Sequence, residues 1–139
     1  MQQPDPFHYH APNEITAPKY AAINAAADAL TATLATILVT DPVTGANAWA
    51  GDHMAHHDLQ AGFDAINAGA KALYDTIREH APDCDDRATA ERFARLARMA
   101  ANHHLAKGMP GGSIAARAAF ENILIARWSA CAAVALGSV

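Results

Sequence analysis

The groups in this chain best suited to chemistry are a few cations set at helical spacings. Arg98 and Asn102 lie four positions apart, one turn of a helix, so a guanidinium and a carboxamide could meet the same phosphate. The alternative use of that side of the helix is a surface ridge with Glu91 and Arg95 paired at i, i+4. Arg127 falls inside an apolar run with Leu124, Trp128 and Cys131. A guanidinium there needs an acidic side chain, a carbonyl or a ligand as partner.

Charge limits what such a site can hold. Residues 1–70 carry seven acids and one base, Lys19, and residues 71–139 carry nine bases against seven acids, for a net −4 overall. A nucleic-acid polymer favours a basic protein, so DNA and RNA chains are poor partners. A small anion held by a few Arg or Lys is compatible with this balance.

Other chemistries find less support. The eight histidines include His53, His56 and His57, whose i, i+3, i+4 spacing could set them on one helical face, with His8, His10, His103 and His104 elsewhere. There is no His-Glu-x-x-His or Glu-x-x-His pair, and no cysteine at metal spacing, so no resident metal or other cofactor is expected. Cys84 and Cys131 form no disulfide framework and suit a reducing compartment. Neither has a sequence-evident base, and no serine sits in a nucleophile elbow, so no catalytic residue is assigned and the chain reads as non-enzymatic. The start, Met1-Gln-Gln-Pro-Asp-Pro6, lacks the basic and apolar regions of a signal peptide. The most apolar stretch, near Ile123–Leu136, is interrupted by Arg127 and reads as too short to span a bilayer. A cytoplasmic protein is expected.

The elements that must position these residues are helices. Hydrophobic residues make up 52% of the chain but aromatics only 6%. Alanine supplies much of the rest, which favours helix while leaving a shallow core that oligomerisation often deepens. An all-α single domain, 1–139, is predicted. Residues 1–15 hold three of the seven prolines and the cluster Phe7-His-Tyr-His10, and read as an extended arm. A first helix follows Thr16 as N-cap, with Pro18 in its first turn and Tyr20, Ile23, Ala27, Leu30, Leu34 and Leu38 on one face. After a loop over 40–57 that contains Trp49, Asp58 starts a second helix with the stripe Phe63, Ile66, Ala70, Leu73 and Ile77. Pro82-Asp-Cys-Asp-Asp86 makes a tight connection to a third helix over about 86–106, forming an antiparallel hairpin. Ser113 caps a fourth helix that runs to about Leu136 and is buried on more than one side.

Two internal repeats cut across this order. Ala22-Ile-Asn-Ala-Ala-Ala-Asp-Ala-Leu30 returns forty-three positions later as Ala65-Ile-Asn-Ala-Gly-Ala-Lys-Ala-Leu73. Ala97-Arg-Met-Ala-Ala-Asn-His-His-Leu-Ala106 is echoed, more weakly, by Ala126-Arg-Trp-Ser-Ala-Cys-Ala-Ala-Val-Ala135. Together they suggest two related helical hairpins. The inner one, 58–106, is inserted between the outer halves, 16–38 and 113–136. Lys71 and Arg98 belong to the inner copy, Asp28 and Arg127 to the outer.

These residues resemble the small hairpin domain of phage signal sponges, the anti-CBASS and anti-Thoeris proteins. Phe7-His-Tyr-His-Ala-Pro12 is similar to that family's aromatic-Tyr-His-x-Pro arm, with one residue of slack. Ile66-Asn-Ala-Gly-Ala-Lys-Ala-Leu73, the turn Pro82–Arg87, and Ala97–Ala106 match its helix, turn and closing helix. The resemblance covers 58–106 well and 7–38 and 117–135 loosely, because Asp28 stands where the unit has Lys and Cys131 where it has Asn. It implies a multimeric helical binder that encloses cyclic oligonucleotides or cyclic ADP-ribose isomers at protomer interfaces without cleaving them. It further implies that Lys71, Arg98, Asn102 and Arg127 contact ligand while Phe7 and Tyr9 stack on a base. The competing expectations are a helical structural oligomer with no ligand and, third, a His-dependent metal enzyme.

Overall fold

Alanine-rich segments bounded by proline, aspartate and serine fold as helices throughout the computed structural model, which describes residues 17–38, 56–107 and 113–137. A 3₁₀ turn, Pro18–Tyr20, leads into α1 (Ala21–Leu38), followed by α2 (His56–His80), α3 (Asp85–Lys107) and α4 (Ile114–Gly137). No strand occurs among the described residues. The arm with Phe7 and Tyr9, the Thr16 cap, and the loop with Trp49 and His53 lie outside the described residues.

Local chemistry accounts for the visible ends. Pro18 opens the 3₁₀ turn, where a missing N–H costs nothing, and the Tyr20 N–H closes it on the Ala17 carbonyl at 3.0 Å. Asp85 and Asp86 lie in the first turn of α3, where carboxylates complement the helix dipole. Ser113 caps α4 as expected, its Oγ accepting the Ala116 N–H at 3.1 Å. Helix α2 begins at His56, two residues before the predicted Asp58.

The predicted stripes form the core. Tyr20 of the 3₁₀ turn and Ile23, Ala27, Leu30, Leu34 and Leu38 of α1 are all buried, together with Ile37. Ile66, Ala70, Leu73 and Ile77 do the same on α2, while Phe63 packs at the edge of the core. α3 buries mainly alanine, at 90, 94, 97 and 101. α4 answers with Ala116, Ala119, Ala126, Ala130 and Ala133. Small side chains let these two helices approach closely, and α3 against α4 is the most extensive packing in the fold. α1 rests on α2 and α4, so each helix packs on two main neighbours. At the α1–α2 crossing, a Cβ on Gly69 would stand 2.9 Å from Leu30 Cδ1, so the two helices are closely packed there.

One expectation is corrected. The segments Pro18–Leu38 and Ile114–Gly137 are both long and apolar enough to cross a membrane by length and composition. Half of the most apolar window in α4 and a third of that in Pro18–Leu38 are buried inside the fold.

Candidate functional site

The facing sides of α2 and α3 carry a ladder of polar contacts. Next to the turn, Arg87 pairs with Glu91 at 3.1 Å and with Asp83 at 3.3 Å, and donates to the Ala81 carbonyl at 3.4 Å. Glu91, buried, also takes Arg78 of α2 at 3.3 Å. Further along, the Arg95 guanidinium lies 5.4 Å from the Tyr74 ring centroid. Then Asn102 donates to Asn67 at 3.0 Å. Each step down α2 is matched by an equal step up α3, so the two helices run in opposite directions.

Between the Tyr74–Arg95 and Asn67–Asn102 rungs opens a cleft of about 400 Å³, lined by Asn67, Ala70, Lys71, Tyr74, Ala94, Arg95 and Arg98. The buried alanines Ala70 and Ala94 make an apolar floor. Lys71 and Arg98, both singled out from sequence, therefore share one cavity, and Asn102 borders it through Asn67. Asn67, Tyr74 and Arg95 went unassigned. Their signal was available: Asn67 and Tyr74 flank Lys71 at i−4 and i+3, and Arg95 precedes Arg98 by three.

The electrostatics of this face differ from the expected surface ridge. Glu91 does not pair with Arg95. It is turned toward α2 and the turn, where Arg87 and Arg78 hold it. Arg95, one turn on and exposed, reaches over Tyr74 instead. Among the described residues no carboxylate lies within ion-pair distance of Arg95 or Arg98. Lys71 pairs with Asp75 on the open surface. Tyr74 is flanked by a second cation, Arg78, whose guanidinium is held more firmly in its charged form by the tyrosine hydroxyl first and by Glu91 second. The cleft thus presents Arg95 and Arg98 without a neutralising partner, above apolar walls that strengthen their field.

No protein-family profile matches this chain, and no curated protein or solved structure is significantly similar to it.

The remaining candidate, Arg127, lies away from the cleft, between α4 and α1. Its partner is the first of the three foreseen, an acidic side chain: Asp28 Oδ1 lies 3.5 Å from its Nη1. Cys131, one turn further, is buried, and burial pushes its thiol up to about 11 against the pull of Arg127. A thiol held that high is not a nucleophile near neutrality. His104 is buried with its Nδ1 2.8 Å from Ser113 Oγ, and burial, followed by His103, lowers its pKa. The serine hydroxyl accepts the Ala116 N–H and shares a second hydrogen bond with the ring Nδ1, so this histidine belongs to the α4 cap. Among the described residues no three His, Cys, Asp or Glu side chains cluster as a metal site would require.

Proposed function

We propose that the α2–α3 cleft binds a small phosphate-bearing ligand without turning it over, and that the chain is a phage-encoded sponge for cyclic nucleotide messengers, silencing CBASS- or Thoeris-type signalling in the infected cell's cytoplasm. The observation that supports this reading is the placement of Arg95 and Arg98, free of carboxylates, beside Lys71 on an apolar cleft. Guanidinium forks suit phosphate oxygens, and sequestration acts by mass action, so affinity is enough. The resemblance to the sponge family implies that Phe7 and Tyr9 supply the base stacking. In this reading the fold is two related hairpins, one inserted in the other, assembled as a homo-oligomer.

Calorimetry with a panel of cyclic dinucleotides, cyclic trinucleotides and cyclic ADP-ribose isomers tests the proposal, with ligand recovered intact after heat denaturation. Arg98→Ala removes one charge-assisted contact of about 1.5–3 kcal/mol, a loss of roughly ten- to hundredfold in affinity with helix content unchanged. Binding of no panel member to the wild-type chain would sink the sponge reading. Unchanged affinity in Arg98→Ala would move the site elsewhere.

A further inference from the structure

The two internal repeats, found separately and in different registers, converge on one place in each helix pair. Asp28 is the counterpart of Lys71 in the first repeat, and Arg127 is the counterpart of Arg98 in the second. Lys71 and Arg98 line one cleft across α2 and α3. Asp28 and Arg127 meet across α1 and α4. The same geometry therefore sets like charges together in one copy and opposite charges in the other. Cations on both walls of a cleft attract an anion between them, Arg98 having no carboxylate of its own and Lys71 only the exposed Asp75, whereas opposite charges relieve each other.

The outer pair is poorly made for a permanent ion pair. It consists of one contact at 3.5 Å, and the buried Arg127 Nε–H has no acceptor among the described residues. A guanidinium matched to a carboxylate takes it with two parallel hydrogen bonds. Here one donor is left over for an oxygen that the carboxylate does not supply. The other positions have drifted as well. Thr31 replaces Tyr74 and turns its hydroxyl back to the Ala27 carbonyl at 2.9 Å. Leu124 replaces Arg95, and the buried Cys131 replaces Asn102.

We propose that Asp28 is an internal counter-anion that closes the outer copy of the cleft, so that each chain presents one anion site, at Lys71, Arg95 and Arg98, instead of two. This rests on reading the α2–α3 cleft as an anion site. Asp28 does in the outer copy what a phosphate of the ligand does in the inner one, and its removal reopens a weaker site around Arg127.

The experiment is calorimetric titration of the full chain with inorganic pyrophosphate, run beside the cyclic nucleotide panel. Wild type is compared with Asp28→Lys, Asp28→Asn and Lys71→Asp, each checked for helix content. Both Asp28 variants should show twice the wild-type number of sites per chain, the added site at least about tenfold weaker because Arg95 and Asn102 have no counterparts there. Asp28→Asn serves where added like charge prevents folding of the lysine variant. Lys71→Asp, which copies the outer pair into the inner cleft and gives up the Lys71–Asp75 ion pair, should lose at least about tenfold in pyrophosphate affinity. Wild-type stoichiometry in a folded Asp28 variant, or wild-type affinity in Lys71→Asp, overturns the inference. Pyrophosphate binding that follows the expected pattern without any cyclic nucleotide binding leaves the inference standing and removes the sponge. Cyclic nucleotide binding with unchanged stoichiometry in the Asp28 variants does the reverse, and a wild-type chain that binds neither probe overturns both.

Discussion

Replacing Glu91 by Gln should weaken the fold and spare the cleft. Glu91 is only 8% exposed and meets two guanidiniums, Arg87 at 3.1 Å and Arg78 at 3.3 Å. The two contacts are unequal: the Arg87 side chain is 18% exposed and that of Arg78 is 52%. Arg87 has a second carboxylate in Asp83, but that side chain is 92% exposed, and such pairs contribute about 0–1 kcal/mol. Breaking a fully buried pair costs about 3–5 kcal/mol. A site buried on one side and open at Arg78 falls between these limits, so the loss should be about 2 kcal/mol. For a domain of this size that lowers the melting temperature by about 6 °C. Glutamine preserves volume and most of the hydrogen-bonding reach, which leaves charge as the variable. Urea unfolding followed by helix ellipticity reads the free energy directly. Because Glu91 does not line the cleft, anion affinity there should hold or tighten as a nearby negative charge disappears. A stability change under about 0.5 kcal/mol would show that the cluster is merely solvated. Lost binding with stability intact would refute the division between a structural Glu91 and a ligand-facing Arg98.

Acid should destabilise the fold through His104. Its folded pKa lies below the ordinary 6.5, so as pH falls through that value the unfolded chain takes up a proton that the buried ring resists. The stability contribution is whole above about pH 6.5 and falls by up to about 1.4 kcal/mol per pH unit below it, until the folded ring also protonates; a urea midpoint unchanged between pH 7.5 and 5.5 would contradict this. The half-buried Cys84 should react with a thiol reagent in the native protein while Cys131, buried with its thiol near 11, reacts only after unfolding; mass spectrometry of the labelled chain at neutral pH decides, and equal rates would refute the burial argument. Gly69→Ala gains about 1 kcal/mol of helix propensity but must displace the packed Leu30, for a net change within about 1 kcal/mol, whereas Gly69→Leu has no such offset and should lose about 2–3 kcal/mol. Thermal melts of the two variants check the order, and a tolerated leucine would mean that α1 and α2 are not closely packed at that point.

The four helices were legible because apolar side chains at three- and four-residue spacing, such as Tyr20 to Leu38 and Ile66 to Ile77, leave helix as the arrangement that buries them all. Ser113 and the Asp85–Asp86 start were legible for a similar reason: capping is local chemistry that acts within one turn. Burial of the alanine faces is less local. Nothing in Ala90, Ala94, Ala97 and Ala101 says by itself that α4 rather than another helix will cover them, because alanine fits any close partner equally well. Partner choice between ion pairs is less local still. From sequence, Glu91–Arg95 is a sound i, i+4 pair. It loses because Arg78, on another helix, and Arg87, at the turn, reach the same carboxylate from its buried side, where a charge interaction is worth more.

That diversion is also what makes the cleft. A carboxylate inside α3 can neutralise cations on either side of the helix, and one buried toward the turn is unavailable to the outward-facing Arg95 and Arg98. Had Glu91 faced outward, Arg95 would have had a carboxylate one turn away, much as Arg127 has Asp28. The two repeats relate the helix pairs but not their acids: Asp28 stands where the inner pair has Lys71, and Phe120 stands where it has Glu91. In the inner pair the acid is used to hold the turn and the cations are left over. In the outer pair the acid is used on the cation itself. Which cations this fold leaves unpaired is therefore decided less by how many basic residues a helix carries than by which carboxylates the packing has already engaged.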